Sequence, residues 1–116
     1  MPDSLNDLTH QLRQFADERD WAQFHSPKNL AAALSVEAGE LLEHFQWLTE
    51  PQSRDLTPEK RETVGAEIAD VLLYLLQLAS ALGIDPIDAA KAKMASNAMR
   101  YPADRARGSS KKHDEL

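Results

Sequence analysis

The sequence predicts an all-α fold, and three observations carry that expectation. Ala and Leu together supply 33 of the 116 residues while Val and Ile supply 6, and β-branched residues are what strands favour. Gly is scarce, at 4 residues. Three dipeptides, Ser26-Pro27, Thr57-Pro58 and Asp85-Pro86, each place a capping side chain directly before a proline. The cap oxygen accepts an orphan N–H, and proline at the first helical position loses no hydrogen bond.

Four helices follow, over roughly 5–19, 27–49, 58–82 and 86–99, in a bundle-like arrangement. Ser4 with Asp7 forms a weaker start signal for the first. Gly83 closes the third, as glycines just past a helix end do. Residues 50–57 read as a short polar connection. From Tyr101-Pro102 onward the chain reads as a tail, so 1–102 is the expected domain and 103–116 a polar, partly disordered extension. A chain of 116 residues fits one domain with a real core.

Composition excludes several classes. With no Cys there is neither a disulfide nor a thiolate metal site. A net charge of −6 argues against coating duplex DNA, so no nucleic-acid polymer is expected as partner. Met1 to Arg13 shows no apolar leader. The longest unbroken apolar run, Val71 to Leu76, is too short to span a bilayer, so no membrane partner is expected and the location is read as cytoplasmic. The final His113-Asp114-Glu115-Leu116 matches an endoplasmic-reticulum retention address, and without a visible leader it is read as coincidence. Charge is uneven. Residues 91–112 hold seven basic side chains against the single acid Asp104, while residues 1–90 carry a net −10.

The second helix contains Glu37-x-x-Glu40. At about 100° per residue, Leu34, Ala38, Leu41, Phe45 and Leu48 form an apolar stripe, with Glu37 at its edge and Glu40 about 60° further round. Glu43 points to solvent. The third helix is apolar round most of its wheel, which predicts burial on several sides. Its one polar stripe is Glu67, Asp70, Tyr74 and Gln77. Carboxylates on such a helix are costly unless paired or bound to metal. If the two helices pack, four carboxylates converge, and all-oxygen ligands select a hard cation, Mg²⁺ first and Mn²⁺ as its substitute. A Glu-x-x-His di-metal bundle is the rival arrangement. His44 is a candidate ligand there, but the third helix offers no His, so His44 reads as a site-edge or packing residue.

Glu37-x-x-Glu40 and Glu67-x-x-Asp70 on successive helices resemble the MazG-like all-α nucleoside triphosphate pyrophosphatases, most closely their dCTP pyrophosphatase branch. The segments Glu18 to Leu30, Phe45-Gln46-Trp47, Lys93 to Asn97 and Arg100-Tyr101-Pro102 extend the resemblance over nearly the whole chain. It implies a MazG fold in a homo-oligomer, commonly a tetramer with a dimer as the other arrangement. It implies Mg²⁺-dependent hydrolysis of dCTP, or a modified dCTP, to dCMP and pyrophosphate. It places metal ligands at Glu37, Glu40, Glu67 and Asp70, the base and sugar pocket at Trp21, His25, Trp47 and Tyr74 with Asn97 nearby, and phosphate contacts at Lys93 and Arg100. Glu37 or Glu40 takes the water's proton. Two positions depart from the family: Val36 stands where the general pattern has Glu, and Leu12 where eukaryotic dCTP-type enzymes have His. The alternatives are a pyrophosphatase of broader base range, a non-catalytic metal-binding helical module, and a nucleic-acid binder using the basic tail.

Overall fold

In a computed structural model the chain is described from Ser4 to Leu116, and every regular element in that span is helical. The helices are α1 (Leu5–Glu18), α2 (Pro27–Glu43), α3 (Glu50–Ser53), α4 (Pro58–Ala81), α5 (Pro86–Arg100) and α6 (Ala103–Ala106). Single 3₁₀ turns cover Ala22–Phe24 and His113–Glu115.

The expected caps are present. Ser4 Oγ accepts from Asp7 N at 3.1 Å. Ser26 Oγ accepts from Asn29 N and Thr57 Oγ1 from Lys60 N, both at 3.2 Å. Asp85 Oδ1 accepts from Ile87 N and Asp88 N. Gly83 follows α4 at φ 68°, the left-handed conformation that glycine adopts without strain.

The second helix is shorter than expected. It ends at Glu43, turns through residues 44–48, and α3 begins inside the segment read as a connection. Pro51 bars a helix running on through this segment, since its ring would meet the carbonyl of Trp47. Thr49 and Gln52 instead build a reciprocal capping box, with Gln52 N to Thr49 Oγ1 at 3.3 Å and Thr49 N to Gln52 Oε1 at 2.9 Å.

The described residues divide after Gly83 into two compact units, the second being Ile84–Leu116. In the first, α4 packs against α2 and α1. The packed line of α2 runs through Leu30, Leu34, Glu37, Leu41 and His44, and that of α4 through Val64, Glu67, Val71, Tyr74 and Leu78. Both alternate steps of four and three, the spacing that keeps a seam between two helices. Ala38, expected on the stripe, is exposed, and Glu37 lies within the seam rather than at its edge.

The fully closed core is small: Ala16, Leu30, Val64, Leu76 and Ala79. The expectation that the third predicted helix is buried on several sides is not met within one chain. Ile68 and Leu75 of α4 are 53% and 44% exposed, because α1 and α2 cover only part of its circumference. By length and composition α4 could cross a membrane, with mean hydropathy 1.4 over an 18-residue window, although its longest unbroken run is short. The core helix of a water-soluble domain passes the same test.

In the second unit α5 carries Lys93, Asn97 and Arg100, all exposed and spaced to share a face. Tyr101 and His113 meet edge to face there, 5.9 Å between centroids, so residues beyond Pro102 contact the end of α5.

Candidate active site

The α2–α4 seam brings acids together. One carboxylate oxygen each from Glu37, Glu67 and Asp70 lies within 4.8 Å of the others. Neighbours run in opposite order along the two helices: His44 meets Glu67, Glu37 joins Asp70, and Leu30 lines a cavity with Gln77. The helices are therefore antiparallel, and the two acid-x-x-acid pairs face each other. Glu40 stands outside the tight trio but beside Glu37.

Electrostatics mark the cluster. The Glu37 carboxyl is pushed above the usual carboxylate range, first by burial, then by Glu40 through a hydrogen bond and repulsion, then by the charges of Asp70 and Glu67. Glu37 Oε2 and Glu67 Oε2 are buried with no hydrogen-bond partner among the described residues. Among the described residues of the first unit, the one basic side chain within 4 Å of any of the four acids is His44, Nε2 to Glu67 Oε1 at 3.8 Å. Buried, unpaired carboxylate oxygens facing one another are unfavourable without a cation. The all-oxygen donor set fits a hard divalent ion.

A cavity of about 170 Å³ adjoins the cluster through Asp70. Trp21, His25, Tyr74 and Gln77 line it, with Leu12 and Phe15 in its apolar wall. Trp21 is placed by the end of α1. Its N–H reaches Ala16 O at 2.9 Å and Asp20 N reaches Asp17 O at 3.1 Å, the paired bonds of a Schellman motif. Asp20 holds the left-handed position, φ 53°, where short polar residues are tolerated. Gln23 Nε2 donates to Asp20 O and Oδ2. Phe15 meets Trp21 edge-on at 5.7 Å, Arg19 sits 3.6 Å from the Phe15 ring centroid, and Trp21 meets His25 edge-on at 6.5 Å.

Of the residues expected from sequence, Glu37, Glu67 and Asp70 converge, Glu40 flanks them, and Trp21, His25 and Tyr74 share the adjoining cavity. Trp47 does not line it. It lies in the turn after α2, 86% exposed. Lys93, Asn97 and Arg100 belong to the second unit. Sequence reasoning passed over Gln77 as a cavity residue, although it completes the polar stripe. It also passed over the left-handed Asp20, which has no sequence signature beyond a polar residue at a helix end.

The sequence profile of the MazG-like family matches residues 32–116. The dCTP pyrophosphatase 1 of Homo sapiens is 46% identical over 115 residues, spanning 97% of this chain and 68% of that protein. Its counterpart in Mus musculus is 44% identical over the same shares. A crystallised pyrophosphatase from Archaeoglobus fulgidus superposes with TM-score 0.81 at 42% identity, over 88% of this chain and 95% of that one. With the paired acids of α2 and α4 at its centre, the chain belongs to the MazG-like family.

Proposed function

We propose that this protein is a nucleoside triphosphate pyrophosphohydrolase that converts dCTP, or a modified dCTP, to dCMP and pyrophosphate and so removes it from the nucleotide pool. One observation carries the reading. Asp70 belongs both to the carboxylate trio and to the cavity lined by Trp21, His25 and Tyr74, so a place for a cation adjoins a place for a planar base. The identity to dCTP pyrophosphatases supports the substrate class.

Glu37, Glu40, Glu67 and Asp70 would hold Mg²⁺, with Mn²⁺ as substitute. The ion, when bound, neutralises phosphoryl oxygens and the leaving pyrophosphate. A carboxylate oxygen of Glu37 or Glu40 takes the proton of the attacking water. Trp21 and Tyr74 offer ring faces to the base and sugar, and every base has a face on which to stack. His25 supplies a polar contact, and Trp47 serves as an exposed rim residue. Lys93 and Arg100 neutralise phosphate charge, with Asn97 beside them on α5.

The catalytic domain comprises residues 1–102, with 103–116 as its tail, and it works in the cytoplasm on free nucleotides. It assembles as a homo-oligomer, a tetramer before a dimer, in a four-helix MazG arrangement. Exposed Val36, Ile68 and Leu75 on the α2–α4 pair support that assembly, since monomers rarely leave such apolar surface open.

The test is a panel of dNTPs, NTPs and 5-substituted dCTPs with Mg²⁺, products resolved by chromatography. Release of dCMP and pyrophosphate well above all other products is expected. Equal turnover of several bases would remove the dCTP assignment and keep the reaction. No turnover with Mg²⁺ or Mn²⁺ would leave the acids structural.

A further inference from the structure

Inside the cavity beside Asp70, hydrogen-bonding capacity is unevenly distributed. Trp21 and Tyr74 contribute ring faces, Asp70 is committed to the carboxylate trio, and Leu12 contributes no polar atom. The Tyr74 hydroxyl and the Trp21 indole N–H are single polar groups, and of the two remaining polar side chains, His25 and Gln77, only the Gln77 amide sets a donor and an acceptor side by side for the edge of a bound base. His25 and Gln77 also line a second cavity of about 170 Å³ that contains Arg13 and Ser80, joined by a 2.7 Å hydrogen bond. Gln77 thus stands in the partition between two spaces, half-buried.

The Gln77 amide has a preferred sense. Its Nε2 donates to Leu73 O at 3.2 Å. A flipped amide would set Oε1 against that carbonyl, two acceptors facing each other, and forfeit the bond. That bond favours one order of donor and acceptor by about 1 kcal/mol: one N–H goes to Leu73, leaving one N–H and Oε1 for a ligand. Along α4, Gln77 lies two turns past Asp70, about 10 Å at ~1.5 Å per residue. That span suits a nucleotide whose phosphates sit at the acids and whose base points up the helix.

We propose that Gln77 is the specificity-determining residue of this pocket, accepting the exocyclic amino group of cytosine at Oε1 and donating its free N–H to the ring nitrogen beside it. The proposal rests on the nucleotide-hydrolase reading above. Uracil and thymine present the inverse order at the same edge, a carbonyl oxygen and an N–H. They meet like against like unless the amide gives up Leu73. Sites built on such paired hydrogen bonds reject the mismatched base by about tenfold or more.

The test compares binding of dCMP and dUMP by calorimetry in Mg²⁺, together with dCTP and dUTP turnover, in the wild type, Gln77→Leu and Gln77→Met. Both replacements are apolar and helix-compatible, so either one that keeps the wild-type melting profile suffices. The expected result is a wild-type preference for dCMP that falls about tenfold or more in the variants, through loss of the cytosine ligand rather than equal loss of both. A preference unchanged in the variants, equal weakening of both nucleotides, or no preference in the wild type would overturn the role of Gln77. Binding selectivity that depends on Gln77, without turnover of any triphosphate, would uphold it and overturn the hydrolase reading instead.

Discussion

His44 and Glu67 meet across the α2–α4 seam with Nε2 3.8 Å from Oε1, while the other carboxylate oxygen of Glu67 has no hydrogen-bond partner among the described residues. The imidazole thus stands beside one oxygen of a carboxylate that also belongs to the trio with Glu37 and Asp70. Outer partners of this kind orient ligands, and their loss costs metal affinity about 10- to 100-fold. His44→Ala is expected to raise the Mg²⁺ concentration for half-maximal turnover by about tenfold, with kcat at saturating Mg²⁺ near wild type. A Mg²⁺ titration of activity checks it, and a collapse of kcat at saturation would make His44 part of the chemistry.

Glu37→Gln and Glu40→Gln are each expected to lower turnover at least about a hundredfold, the range for loss of a general base. Each also removes a charge from a repelling cluster, so the metal-free midpoint of unfolding should rise. Isothermal titration with Mg²⁺ separates their roles: a ligand's loss weakens binding, whereas loss of a pure proton acceptor leaves binding in place.

The Glu37 carboxyl titrates above the usual carboxylate range because burial and its acidic neighbours favour the protonated form. Folding therefore gains from that proton at low pH, and the gain disappears as pH rises through the raised value. Without metal, stability falls on going from about pH 5 to about pH 8 as far as this group decides it. A divalent cation takes over the proton's role, so its stabilising effect grows in the same direction. Melting curves with EDTA or Mg²⁺ at both pH values check this. A Mg²⁺ effect larger at the acidic end would contradict it.

Asp20 occupies a left-handed position whose bonds aim Trp21. Asp20→Ala is expected to cost about 1 kcal/mol in stability, since a Cβ without a polar partner is disfavoured there. Asp20→Gly should be near neutral, because glycine adopts the conformation freely but loses the Oδ2 contact of Gln23. Chemical denaturation ranks the three. In Asp20→Ala the KM for dCTP should rise more than kcat falls.

Much of this architecture was legible because local signals agreed with the global one. Ser26-Pro27, Thr57-Pro58 and Asp85-Pro86 named three helix starts, and each cap oxygen is occupied as expected. The convergence of Glu37, Glu67 and Asp70 followed from placing two acid pairs on helices that had to pack. The end of α2 was harder, because Phe45 and Leu48 keep the apolar rhythm past Glu43 and no glycine or proline marks the stop there. Burial of α4 was overestimated because an apolar wheel does not say how many neighbours cover it, and α1 and α2 cover only part of its circumference. Trp47 was placed at the pocket by the family resemblance, and residue type carries no information about which way the turn after α2 presents its ring, here 86% exposed.

The two tryptophans differ sharply in setting, one braced by Phe15 and His25 at the cavity and the other projecting from a turn. The chain therefore carries its own optical reporter. Replacing Trp47 with Phe leaves a single indole whose emission follows the filling of the pocket, and rapid-mixing fluorescence can then time nucleotide entry and product departure without a dye or a labelled substrate.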